Sequence, residues 1–190
     1  MRQALRLSFI EEMNIIMNEI INKLKNKAPN YFKEFSLSEY TGQSLREWQN
    51  KEEFVSKKVS CQCGQQELLI FVTNKIQIKG LFKKKEVKIP LAPIYLQCPK
   101  CNKQPLFFNP HLNGWDAELS QSVCEIGEGE AELYLQKSGL VVICYSYQNV
   151  ENYEELIEGG FEYPENCFDT FSVYFKANGQ FEEVVSYECA

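Results

Sequence analysis

Histidine is all but missing from this chain: His111 is the single one among 190 residues. That scarcity excludes sites built on paired histidines. It also excludes a zinc deaminase, whose chemistry needs His-x-Glu upstream of Pro-Cys-x-x-Cys, whereas here the proline lies inside the cysteine pair and His111 follows it. No nucleophile elbow, phosphate loop or dinucleotide fingerprint is present. No stretch approaches the roughly 18 consecutive apolar residues of a membrane span, so no membrane partner is expected. Arg2 and Arg6 open the chain, but Glu11 and Glu12 arrive before any apolar region long enough for a secretion signal, which leads us to expect a cytoplasmic protein.

Cations are scarce in one half only. Up to Lys103 there are 18 Lys and Arg against 10 Asp and Glu; from Gln104 onward there are 2 against 16, a net charge of -14. Such asymmetry suggests that the acidic half faces a basic partner, although two solvated faces of opposite sign would look the same. What the chain does have is core-forming material: 44% hydrophobic residues, with 13 Phe and 10 Tyr, far from the composition of a disordered chain. At this length one domain, or two small ones, is expected.

The pattern along the chain predicts an α+β fold. Ile10, Met13, Met17, Ile20, Ile21 and Leu24 recur at helical spacing over 7–27, and Ala28-Pro29-Asn30 ends the run. A second, weaker helix is expected over about 44–54. Short β-branched or apolar runs follow at 67–73, 76–78, 86–89 and 94–97, and again at 131–136, 140–147, 170–176 and 181–187. The last two flank Asn178-Gly179, a pair that favours a tight hairpin turn. The expected organisation is an N-terminal helical segment over 1–58, a central zinc ribbon over 59–120 and a mostly antiparallel, acidic sheet over 121–190, packed as one unit.

Eight cysteines in a chain expected in a reducing compartment read as ligands or buried thiols. Cys61-Gln62-Cys63-Gly64 and Cys98-Pro99-Lys100-Cys101-Asn102 are two close pairs, each followed by a residue type that tolerates the left-handed conformation of a tight turn. The second pair resembles the knuckles of zinc ribbons, in which a turn aims two thiolates at one point and following amides donate to sulfur. The first departs from that pattern, with one intervening residue instead of two. The resemblance implies one structural zinc held by Cys61, Cys63, Cys98 and Cys101. Cys124 or His111 is the reserve ligand should one of the first pair fail.

Downstream, His111 and Asp116 form a candidate acid–base pair beside Trp115, or else a structured turn in which Gly114 supplies positive φ. Cys144 reads as a core strand thiol. Three functions compete: a non-enzymatic protein-binding module using the acidic half, a nucleic-acid binder using Lys57, Lys58, Lys83, Lys84, Lys85, Lys100 and Lys103, and an enzyme built on His111 and Asp116. A compact acidic chain with one zinc and no catalytic motif is similar to immunity proteins of bacterial toxin systems. That similarity favours the first function and implies inhibition of a basic toxin or enzyme.

Overall fold

The computed structural model describes residues 19, 22–23, 26–42, 45, 54–72, 75–79, 84–88, 93–110, 124–125, 132–133, 137–147, 158, 164–168 and 170–188. Among the described residues the elements are 12 strands and two 3-10 turns, Asn30–Phe32 and Pro164–Asn166. The strands are β1 (Phe35–Glu39), β2 (Phe54–Cys61), β3 (Glu67–Val72), β4 (Lys75–Lys79), β5 (Lys84–Lys88), β6 (Ile94–Gln97), β7 (Leu106–Phe108), β8 (Cys124–Glu125), β9 (Glu132–Leu133), β10 (Gly139–Ser146), β11 (Thr170–Ala177) and β12 (Gln180–Glu188). Every pairing among them is antiparallel. Nine strands form one sheet, and β5, β4 and β8 form a smaller one.

The large sheet forks, and the fork decides where the cysteines meet. β2 and β3 lie along the same edge of β10, with Val59 opposite Val141 and Glu67 opposite Leu140. Residues 62–66 loop out between them, so the two strands read as one line with a knuckle inserted. On the far side of that line β1 flanks β2, with Phe35 opposite Cys61, and β6 flanks β3, with Leu69 opposite Gln97. β1 and β6 do not pair with each other. The gap between them is therefore bounded by Cys61 at the end of β2 and Cys98 just after β6.

Burial holds the two arms together. Val59, Leu68, Ile70, Ile94, Leu96, Val141, Ile143 and Val173 are fully buried in one cluster with a set of aromatic rings. Phe32 stacks on Phe107 and Phe171 with centroids 4.9 and 5.6 Å away, and Phe108 lies 4.5 Å from Phe171. Each such side chain contributes roughly 1.5–3 kcal/mol through burial. β10 is buried on both faces: Val141, Ile143 and Tyr145 join the main cluster, while Val142 and Cys144 pack with Tyr174 on the other side. A strand covered on both faces has no polar alternation, which is why 140–147 reads as a continuous apolar run.

The expected α+β architecture is corrected by this structure: the described elements are antiparallel strands and 3-10 turns, with no N-terminal helical layer among them. Most of 7–27 lies outside the described residues, as does 46–53 of the second expected helix. Phe54, taken as the end of that helix, instead opens β2. β1 and β2 were missed because their apolar positions are few. Phe35 and Leu37 alternate over only five residues, and Lys57-Lys58 interrupts the period of Val55, Val59 and Cys61. The boundary placed at 58 falls inside β2.

Two glycines are required by the backbone or its surroundings. Gly179 (φ 86°) and Asn178 (φ 54°) are both left-handed, as a type I′ turn between β11 and β12 demands. Gly139 is required for space, because a Cβ there would lie 2.5 Å from both the Lys176 carbonyl oxygen and the Phe175 ring. Since Gly139 opens β10 opposite Leu68, at the fork, Gly139→Ala forces β11 away and should cost about 1–3 kcal/mol. Urea unfolding of the purified variant measures this, with an unchanged midpoint as the contrary result.

Candidate metal centre

The first knuckle begins where β2 ends. The chain reverses as the Gly64 amide donates to the Cys61 carbonyl at 2.8 Å and the Cys61 amide donates to the Gln65 carbonyl at 2.9 Å. Gly64 takes φ 86°, a conformation that costs glycine little. Cys63 thus sits in the turn past the strand end, and the turn, not a shared strand face, brings it alongside Cys61. The second knuckle follows β6 in the same manner. The Asn102 amide donates to the Cys98 carbonyl at 2.8 Å, the Cys98 amide donates to the Lys103 carbonyl at 2.9 Å, and Asn102 takes φ 59°.

The four thiols converge. The Cys61 and Cys101 sulfurs are 3.6 Å apart, those of Cys63 and Cys98 are 3.5 Å apart, and all four lie within 4.8 Å of one another. A tetrahedron with metal–sulfur bonds of about 2.3 Å has edges of about 3.8 Å. These separations match it and are far longer than the roughly 2.05 Å of a disulfide. The donor set therefore fits a metal ion, and the four cysteines can hold one. His111 lies outside the described residues and Cys124 is in β8 of the smaller sheet; the cluster is complete without either.

Burial is uneven across the four. Cys61 and Cys98 are 7% and 1% exposed, while Cys63 and Cys101 face solvent. Burial pushes the Cys61 thiol up to about 12. Burial acts the same way on Cys98, but the amides of Cys101 and Lys100 donate toward its sulfur and hold it down at about 7; the Cys101 amide is 3.4 Å away. A thiolate already favoured at Cys98 suits a cation, whose charge would deprotonate the others. An open recess of about 400 Å³ leads to the cluster between Glu34, Phe35, Gln62, Lys103, Gln104 and Pro105, giving an ion a route in.

Two supporting contacts had no signal in the sequence. The Gln62 amide donates to the Lys33 carbonyl at 3.0 Å, tying the first knuckle to the segment before β1. The Gln97 amide donates to Asn102 Oδ1 at 2.7 Å, closing the second. Both are long-range or turn-specific pairings of glutamine, a residue with no fixed partner in a pattern.

His111, Trp115 and Asp116 lie outside the described residues. Cys144 is 1% exposed in β10, as expected of a core thiol, and its sulfur is 2.8 Å from Ser56 Oγ. Burial raises it to about 11 against the opposing effect of Ser56. Cys144→Ser keeps that hydrogen bond and should cost only about 1 kcal/mol, with metal content unchanged, by denaturant titration and elemental analysis. No helix among the described residues is long and apolar enough to cross a membrane. Comparison with protein families, curated proteins and solved structures finds no match to the chain.

Proposed function

We propose that Cys61, Cys63, Cys98 and Cys101 bind one Zn2+ in a structural role, and that the sheet so stapled is a non-enzymatic protein-binding module. The observation that carries the first part is the convergence of four thiols at tetrahedral spacing. Four thiolates fill every position around a tetrahedral ion and leave none for water or substrate, the arrangement of structural rather than catalytic zinc. Zinc and iron both accept such a donor set. A colourless protein with metal bound separates them, since an iron–thiolate site absorbs visible light.

The partner reading rests on charge. From Gln104 onward only Lys137 and Lys176 are positive against 16 acidic residues, a field that steers basic proteins and repels nucleic acid. An inhibitor or immunity protein that covers a basic toxin or enzyme would use such a face. Glu128, Glu130 and Glu132 alternate along the chain, and Glu132 opens β9. Lysine at all three should slow association with a basic nuclease by about tenfold or more at low salt, while alanine at Lys83, Lys84 and Lys85 should not. Equal association rates for the charge-reversed and parent proteins would count against the acidic face.

A further inference from the structure

Two sulfur contacts in the cysteine cluster each join an exposed thiol to a buried one, and each crosses from one knuckle to the other. Exposed Cys101 lies 3.6 Å from buried Cys61, and exposed Cys63 lies 3.5 Å from buried Cys98. The recess beside Phe35 and Pro105 is lined by all four cysteines, so a small molecule in solvent reaches them. A solvent-facing thiol in contact with a second one is the arrangement in which oxidation ends in a disulfide, because the second sulfur captures the sulfenic acid formed on the first. Closing either contact to the roughly 2.05 Å of a disulfide moves each of its two sulfurs by only about 0.8 Å.

Which pairs close decides what oxidation does to the fold. Cys61–Cys101 and Cys63–Cys98 span 40 and 35 residues. Both would tie the end of β2 to the turn after β6, the same two places that a metal ion would join. Disulfides within the knuckles would instead link residues that a turn already holds together, and would leave the two arms of the fork unlinked.

We infer that the cluster is a redox-gated metal site: a peroxide converts it into Cys61–Cys101 and Cys63–Cys98 disulfides, the metal leaves, and the new covalent links keep the fork joined. The inference rests on the zinc reading above and adds its regulation. In each pair the exposed thiolate attacks one peroxide oxygen; the O–O bond breaks, leaving a sulfenic acid and a hydroxide. The buried thiolate then attacks the sulfenic sulfur, the S–S bond forms, and a second hydroxide departs. Four thiolates thus pass four electrons to two molecules of hydrogen peroxide, and four solvent protons convert the hydroxides to water. Zn2+ is released because the thiolate, not the disulfide sulfur, is the ligand. Thiol reductants reverse the exchange and restore the four ligands.

The test treats the full chain with hydrogen peroxide after purification under reductant, the state in which metal content is read. Bound zinc, followed with a chromophoric chelator, should fall from about one per chain to less than about 0.1. Tandem mass spectrometry of the unreduced protein should find Cys61–Cys101 and Cys63–Cys98, with Cys144, 1% exposed, still a thiol. Near-ultraviolet dichroism should stay native while the zinc leaves, and reductant with added zinc should restore the starting metal content. A strong chelator under reductant should unfold the chain instead, since nothing then replaces the metal. Disulfides within the knuckles, loss of native dichroism in step with zinc release, or zinc retained under excess peroxide would each overturn the inference. Protein that holds no metal before oxidation would overturn the zinc reading, and its disulfide map would still decide the pairing.

Discussion

On the proposed zinc site, serine at Cys98 should leave the protein metal-free and largely unfolded. Apparent binding energies of structural zinc are about 10–16 kcal/mol, as large as the whole net stability of a domain, about 5–15 kcal/mol. Cys98 is 1% exposed, its sulfur receives the Cys101 amide, and it sits where β6 ends at the fork of the sheet. A hydroxyl there neither ligates zinc comparably nor replaces a thiolate in charge. Among the described residues, the two arms on the β1 and β6 side are then joined mainly by the core beneath them. The expected readouts are zinc below about 0.1 per chain, loss of near-ultraviolet dichroism and exposure of dye-binding apolar surface. Cys101→Ser should lose the metal and the native packing in the same way although Cys101 is exposed, because the stabilisation comes from the metal and not from burial of that thiol. A Cys98→Ser protein with native spectra and parental stability would mean that the core alone holds the fork.

Phe171→Ala should be the most damaging change away from the cysteines. Phe171 is fully buried in β11 and touches Phe32, Phe107, Phe108, Phe168 and Tyr187, so its loss opens a cavity among rings that cannot collapse together. Deleting a core phenylalanine costs about 3–5 kcal/mol, or roughly 6–20 °C in melting temperature for a chain of this size. Phe32 belongs to the 3-10 turn before β1, and the Asn30 amide of that turn donates to Asn166 Oδ1, in the second 3-10 turn, at 2.8 Å. Loosening this aromatic cluster should therefore release both turns. Amide exchange at Asn30, Phe32 and Lys33 should rise in Phe171→Ala well beyond the global change. If only the global stability falls, the turns are held by their own hydrogen bonds.

The sequence was most legible where local chemistry and tertiary structure agree. Gly64, Asn102, Asn178 and Gly179 each occupy the left-handed positions that their residue types suggested. The apolar runs at 67–73, 94–97, 140–147, 170–176 and 181–187 became β3, β6, β10, β11 and β12, because buried strands are marked by β-branched and aromatic residues wherever they pack. The clustering of Cys61, Cys63, Cys98 and Cys101 was expected from their paired spacing, the turn former after each pair and the resemblance to zinc-ribbon knuckles. The topology was not legible. Pairing of β2 with β10 joins residues from Val59–Val141 to Phe54–Ser146, about 80 to 90 positions apart, and nothing in Phe54–Cys61 announces a partner. The helical period over 7–27 weighed on the fold class although the described core takes nothing from it. β1 and β7 are too short for alternation to be read from sequence.

The central claim is that four thiolates close around one structural zinc. X-ray absorption at the zinc edge, on protein purified without chelator or added metal, tests it most directly. The account predicts about one zinc per chain in a shell of four sulfurs at about 2.3 Å, with no nitrogen or oxygen neighbour. A metal-free protein that keeps its fold, or a shell containing nitrogen or oxygen, would contradict it.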